Sequence, residues 1–552
     1  MFRPRHALHP AAPGLAREVA AGTLSRREFL SRATALGVGA PAAYALIGTP
    51  RPAAGQTAAR RPGGTLRIQQ DVRPLKDPRT FDWPQMSNFA RGWLEWLVEY
   101  TREGTFEPRL LADWEVSDDA SEYVLHLRRG VQWNDGTPFT ARDVAYNFTR
   151  WCDSTVEGNS MATRLQGLID PETGKARDGA IIVEDEHTVR LRLSEPDISI
   201  IATAADFTAA IVQDGFKGNP LDNPVGTGPY LPGEYQIGVK GVLERNRDHA
   251  WWGSEVLGEP TLERIEYLDL GTDQAAFAAA FEGDEIDMTY ETVGEFIEVL
   301  DALGLERSET VTARTVVIRP NQAAEVGGAR PYADRRVRRA LAMAVNNRVC
   351  LELGYSGRGQ VAENHHVCPV HPEYADIGPA GYDPDAARAL MAEAGMAEFE
   401  HDLVSIDDSW RKQTADSVAA QLRDAGIAVK RTVLPGSTFW NGWANYPFST
   451  TDWGHRPLGV QVLALAYRSG AQWNESGFAN AEFDSLLDEA LRLPDADRRR
   501  EVMARIETIL REEGAIIQPY WTSVFRHLRA DVVGAEAHPA FEIYPYRLGF
   551  AA

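Results

Sequence analysis

Three histidines and a cysteine fall within Asn364-His365-His366-Val367-Cys368-Pro369-Val370-His371. Imidazole and thiolate together can ligate a transition metal. The spacing of His365, His366 and His371 matches no defined closed site, so a cluster of ordinary surface histidines is the competing reading. Asn223-Pro224-Val225-Gly226-Thr227-Gly228-Pro229-Tyr230 has the glycine density of a phosphate-cradling loop. It lacks the Gly-Lys-Ser/Thr ending, and its two prolines remove N–H donors. Catalysis would need an activated nucleophile, a paired acid and base, or an open metal. The chain has no Gly-x-Ser-x-Gly elbow, no His-Glu-x-x-His pair and no convincing Cys–His pair. Carboxylates are abundant, but a linear sequence does not pair them across a cleft as glycoside hydrolysis requires. These residues favour a binding protein without catalytic residues over a hydrolase.

The elements that must position any such groups alternate between strand and helix. Residues 122–128 (EYVLHLR) and 187–193 (HTVRLRL) alternate polar and apolar residues, as half-buried strands do. Asn134-Asp135-Gly136 is turn chemistry; Thr140 follows as an N-cap with Asp143 three residues on. Residues 65–69 read as an opening strand, and 88–100 as a helix presenting Trp93, Leu94 and Leu97 on one face. Trp83, Trp93 and Trp96 are assigned to core packing. A helix over 272–283 is capped by Thr272 and stopped by Gly283, with a short strand at Ile286-Asp287. A strand over 314–321 precedes a helix over 335–348 capped by Asp334, and Asp383-Pro384 opens another helix. Strand 402–406, helix 410–424 and strand 427–434 predict a parallel βαβ unit. Helices over 480–491 and 495–513 complete the series.

A chain of 552 residues is too long for one core and predicts several domains. Its formal charge is −22. Residues 1–54 hold seven arginines against two glutamates, so without them the body carries about −27. Such a body is repelled by nucleic acid and by anionic lipid. Three cysteines (Cys152, Cys350 and Cys368) make no disulfide framework. A single Cys350–Cys368 bridge and three reduced thiols both remain open.

Ser25-Arg26-Arg27-Glu28-Phe29-Leu30 precedes an uncharged, weakly apolar run over residues 33–48. Adjacent arginines before a modest apolar stretch resemble a twin-arginine export signal. The run is short for a membrane span, and no cysteine occurs before Cys152 to carry a lipid. Cleavage near Ala45 or Ala54 would release a periplasmic protein with no membrane insertion. That route allows a cofactor but requires none, and none is assigned.

The longest recognisable pattern runs from Pro108-Arg109-Leu110-Leu111-Ala112-Asp113-Trp114 through Gly130-Val131-Gln132-Trp133-Asn134-Asp135-Gly136-Thr137-Pro138-Phe139 to Asp143-Val144. It resembles the signature of the family 5 extracellular solute-binding proteins, the dipeptide- and oligopeptide-binding components of ABC importers. The 223–230 stretch, Arg245-Asn246 and Trp251-Trp252-Gly253 continue the resemblance, which extends from about Gly63 to the C-terminus.

The resemblance implies an α/β fold of two lobes joined by hinge-crossing strands, of the large type with an extra subdomain. The expected organisation is a signal and linker over 1–54, then a first-lobe core from 63–95, 213–317 and 518–552. The extra subdomain occupies 96–212 and the second lobe 318–517. It implies an importer subunit for peptides or peptide-like organic solutes, acting as a monomer with ABC permease subunits. A nickel or metal-complex binder of the same fold is the alternative, and a periplasmic hydrolase a more distant one. The stretch 439–457 matches the position that lines the family's cleft. Family members that bind peptides place an aspartate after a tryptophan there; here Asp452 precedes Trp453, and His455-Arg456 follow. Read from the residues themselves, Trp453 is expected to pack on the ligand, Arg456 to pair with an anionic group and Asp452 to hold a cation, with His455 beside them. An internal ion pair for Arg456 and a core position for Trp453 are the alternative. Trp440, Trp443, Asn88 and Tyr290 are further lining candidates.

Overall fold

A computed structural model describes residues 8–22, 24–49, 60–493 and 496–552. One mixed sheet of eleven strands passes through both lobes. At its centre two long strands, Glu306–Pro320 and Tyr520–Leu528, pair antiparallel. On the first-lobe side come Met288–Thr289, Thr65–Gln69 and Arg264–Leu268, with Thr65–Gln69 parallel to both neighbours. On the other side come Phe448–Trp453, His401–Ile406 and Val429–Leu434. The last two are parallel and connected by helix Ser409–Asp424, which is the expected βαβ unit. The central pair slips register between Val311 and Arg314. Such a bulge bends and twists a strand, and here it lies just ahead of the cleft residues.

A separate four-stranded sheet, ordered Leu111–Val116, Glu122–Leu127, Thr188–Arg192 and Ile181–Asp185, builds the extra subdomain. Tyr123, Leu125 and Leu127 bury alternate positions of its second strand. The helix Ala141–Trp151 that packs near it starts at the predicted capping box: Thr140 N–H donates to Asp143 Oδ2 at 2.8 Å.

Several local expectations are corrected. The helix expected over 88–100 spans only Pro84–Ala90. The carbonyls of Gly92 and Trp93 instead accept the N–H groups of Tyr230 and Gly228 at 2.9 and 2.8 Å. Val98–Tyr100 is a strand paired with Phe106–Pro108. Asp273, not Thr272, caps Gln274–Glu282, because its carboxylate accepts the Ala275 N–H. The helix expected over 335–348 breaks into Arg335–Met343 and Asn347–Tyr355, the second with its own Asn346 cap. All three cysteines are free and buried, so the open question of a Cys350–Cys368 bridge closes on the thiol side.

The N-terminal segment forms helices Ala11–Ala21, Arg26–Ala35 and Ala40–Leu46, which share a small core around Leu15, Phe29 and Tyr44. They rest on the body: Thr34 Oγ1 accepts the Phe106 N–H at 2.9 Å, and Arg500 pairs with Glu28 at 2.6 Å. Arg3, Arg5, Arg51 and the cleavage candidate Ala54 lie outside the described residues. No helix among the described residues is long and apolar enough to cross a membrane.

The glycine-rich crossing at 223–230 is a close backbone contact. A Cβ placed on Gly226 would stand 1.9 Å from the Trp93 carbonyl oxygen, against which no flexible side chain can give way. Gly226→Ala is therefore expected to destabilise the fold by about 3 kcal/mol, the upper range for overpacking. Gly381→Ala, whose Cβ would meet nothing within 4 Å, is expected to be near neutral. Thermal melts of the two variants check the pair.

Candidate functional site

The parallel strands of both lobes end at one cavity of about 710 Å³. Thr65–Gln69 delivers Gln69, Asp71 and Arg73, and Met288–Thr289 delivers Tyr290 and Glu291. From the second lobe, His401–Ile406 delivers Ile406, Asp408, Trp410 and Arg411. Ligands in open α/β sheets collect beyond the carboxyl ends of strands for this reason: loops there are free to vary. The crossing strands supply Arg314, Asp452 and Trp453 to the cavity.

Two features dominate it. The first is aromatic: Trp83, Trp410, Trp440, Trp443, Trp453 and Trp473 all line it. Trp83 from the first lobe meets Trp440 from the second with ring centroids 4.5 Å apart, edge to face. Tyr290 and Phe541 add a tilted pair at 5.4 Å.

The second is a chain of alternating charge: Glu291, Arg314, Asp452, Arg411, Asp408. Asp452 lies opposite Val316 across the ladder, which makes Arg314, two residues back on the same face, its diagonal neighbour. Arg314 Nη2 reaches Asp452 at 3.2 Å and also pairs with Glu291; Arg411 pairs with Asp452 and with Asp408. Burial pushes the Asp452 carboxyl up, but Arg411 and Arg314 outweigh it and hold its pKa below the usual range. Burial disfavours the Arg314 charge, yet Glu291 and Asp452 raise its pKa above the ordinary value. Glu291 is raised by burial, against the pull of Arg314.

Behind this face, Trp453 Nε1 donates to Glu475 at 2.7 Å, and Glu475 pairs with Arg319 beneath the sheet. Trp453 is thereby held at the cavity wall by a buried hydrogen bond, while packing on Trp473 at 5.9 Å.

Of the residues expected to form the site, Asp452, Trp453, Arg456, Trp440, Trp443 and Tyr290 line this cavity. Arg456 takes the internal partner: its Nε lies 3.2 Å from Asp206. The cations beside Asp452 are the chain's own Arg314 and Arg411. Asn88 and His455 lie outside the cavity lining. Asn88 is fully buried and bridges Gln70 and the Phe541 carbonyl, at 3.1 and 3.0 Å. His455 Nδ1 accepts the Ala313 N–H at 3.0 Å, and its ring stacks near Tyr100. Trp83, assigned above to the core, is half-buried at the cavity; Trp93 and Trp96 are core.

The three histidines of 364–371 are buried and engage different partners: His366 bonds Tyr467 Oη at 2.6 Å, and His371 bonds the Arg456 carbonyl at 3.1 Å. His365 lies 3.7 Å from both Glu363 and Glu507. Among the described residues no group of three or more histidine, cysteine or acidic side chains is placed to hold a metal ion.

The sequence reading missed Glu291, Arg314, Asp408, Trp410 and Arg411. Arg314 stands at the head of the strand already read as the crossing, and Asp408 is the N-cap that a βαβ unit places at its strand end.

Residues 105–475 match the model of the bacterial extracellular solute-binding proteins, family 5. The chain belongs to that family. It is 26% identical over 475 residues to di/tripeptide-binding protein 1 of Pseudomonas aeruginosa, covering 79% of this chain and 84% of that one. The murein tripeptide binding protein MppA of Escherichia coli superposes with a TM-score of 0.78 at 21% identity, over 90% of this chain and all of the other. NikA of Staphylococcus aureus, solved with Ni(L-His)2, gives 0.74 at 16% identity over 88% and 99%. These structural likenesses establish the shared two-lobed α/β fold.

Removing Asp452 would leave Arg314 with Glu291 alone and Arg411 with Asp408 alone, and a hydrogen bond to a charged group is worth about 1.5–3 kcal/mol. Asp452→Ala is expected to lose that much in denaturant unfolding. Because the folded-state pKa of Asp452 is depressed, its contribution is complete above the unfolded carboxylate value and fades as pH falls through the folded one. The gap between wild type and variant should therefore narrow in acid; a gap independent of pH would contradict the pairing.

Proposed function

We propose that this chain is the substrate-binding subunit of an ABC importer and captures short peptides or peptide-like organic solutes in the cavity between its lobes. The observation that carries this reading is the cavity itself: six tryptophans and a charge chain at the carboxyl ends of both lobes' parallel strands. The chain of three carboxylates and two arginines leaves one negative charge uncompensated, which favours an ammonium on the solute. Carboxylates paired to arginine keep spare lone pairs to accept from it. Trp440, Trp443, Trp453 and Tyr290 supply apolar walls, and Arg456 a polar contact near Asp206. The Pseudomonas and Escherichia relatives are named for peptides, which supports the solute class. A solute held by both lobes binds the closed arrangement more tightly and so shifts the population toward it. That closed form is what docks on the permease. The protein binds without turnover and works as a monomer. The paired arginines at Arg26-Arg27 support export to the periplasm by the twin-arginine route.

Tryptophan fluorescence titrated with a panel of di- and tripeptides tests the reading. Saturable binding to part of the panel is expected, with the peptide recovered intact. Trp453→Ala should weaken it by at least about tenfold, the loss of roughly one well-packed aromatic contact. No saturable response across the panel, or hydrolysed peptide, would overturn it.

A further inference from the structure

An address read by an export receptor needs no contact with the protein that carries it. Helix Arg26–Ala35 is set into the body all the same, with Glu28, Ser31, Arg32 and Thr34 buried. Burying polar and charged groups costs free energy unless partners meet them. Here the partners come from three separate parts of the chain.

From the extra subdomain, the Phe106 N–H donates to Thr34 Oγ1 at 2.9 Å and Trp114 Nε1 donates to the Ala35 carbonyl at 3.3 Å. Ser31 Oγ donates to the Gly104 carbonyl beside them. From the crossing strand, the Val311 carbonyl accepts from Arg27 Nη1 at 3.2 Å, at the residue where the register slips. From the second lobe, Arg500 Nη2 reaches Glu28 Oε1 at 2.6 Å, and the Pro372 carbonyl accepts from Arg32 Nη2.

The approach is close at the backbone too. A Cβ on Gly104 would stand 2.9 Å from Arg27 Cγ. One on Gly37, just past the helix, would stand 2.8 Å from the Trp114 carbonyl oxygen. A larger residue at either place would hold the segment off the body.

The helix thus touches the extra subdomain, the crossing strand and the second lobe at once. These contacts form together only in one relative placement of the lobes, the placement in which Trp83 meets Trp440 across the cleft. A segment that binds one arrangement better than the others shifts the population toward it.

We propose that helix Arg26–Ala35 is an internal strap that holds the two lobes together before any solute binds. Cleavage near Ala45 removes it, so the lobes become free to open and exchange solute once the segment is lost. That release rests on the export reading; the holding contact does not.

A lobe-to-lobe distance measured by paired spin labels in the full chain, without solute, tests the strap. The native cysteines are buried, so Thr272→Cys and Asn445→Cys, exposed positions in the first and second lobe, take the labels selectively. One narrow distance distribution is expected. Arg32→Ala with Arg500→Ala removes both side chains that tie the helix to the second lobe and keeps the Ser25–Glu28 capping box. The ratio of separated to adjoining lobes is then expected to rise at least about fivefold, the low end of coupling between distinct sites. Ser31→Trp changes only the strap, leaves the sequence of the body intact, and should give the same rise. Arg505→Ala, on the helix that carries Arg500 but paired with the exposed Glu482, should leave the distribution unchanged. An unchanged distribution in the double variant or in Ser31→Trp overturns the proposal, and so does an equal shift in Arg505→Ala.

Discussion

The chain of charge from Glu291 through Arg314, Asp452 and Arg411 to Asp408 is the interaction on which the cleft depends. It begins in the first lobe, passes through the crossing strand at Arg314 and ends at the helix cap of the second lobe. Arg314 is buried and the other four side chains are at most 16% exposed, so each needs its neighbour; an uncompensated ion at full burial costs several kcal/mol. The arrangement therefore holds Arg314, Asp452 and Arg411 in one geometry at the base of the cavity. It also limits what a solute can be offered. Both arginines are committed inward, and the surplus is one negative charge.

With the charges so committed, contact area falls to the aromatic side chains. Six tryptophans place large, rigid apolar faces around a solute at small entropic cost, since each has only two side-chain torsions. Trp453 is the best supported of them: its indole N–H is satisfied by Glu475, which Arg319 holds from behind. Trp83 and Trp440 approach from opposite lobes, so their edge-to-face contact depends on how far the lobes close. The polar base sets orientation, and the aromatic walls tolerate varied side chains. Such a division of labour suits a receptor for a class of solutes.

Much of the fold was legible because local chemistry and tertiary packing agree. Thr140 with Asp143, Asp334, Asp383 and the βαβ unit from His401 to Leu434 all fold as their residues predict. The failures have specific causes. Residues 92 and 93 look helical by hydrophobic spacing, yet their carbonyls serve a segment more than a hundred residues away. The site was half legible. Trp453, Arg456 and Asp452 came from one stretch of chain, and their neighbours in sequence were drawn in with them. His455 lies past the end of the strand at Trp453, where its ring is spent on the Ala313 N–H and packs near Tyr100, and Asn88 is spent on Gln70 and the Phe541 carbonyl inside the core. The partners of Asp452 were invisible, since Arg314 and Arg411 are 138 and 41 residues distant. Only the pairing of strands brings them together.

A crystal structure of the protein with a bound peptide tests the central claim most directly. Electron density against Trp453 and Trp440 is expected, with Arg314 and Arg411 still paired to Asp452. A peptide whose carboxylate has pulled either arginine away from Asp452, or density lying outside this cavity, would contradict it.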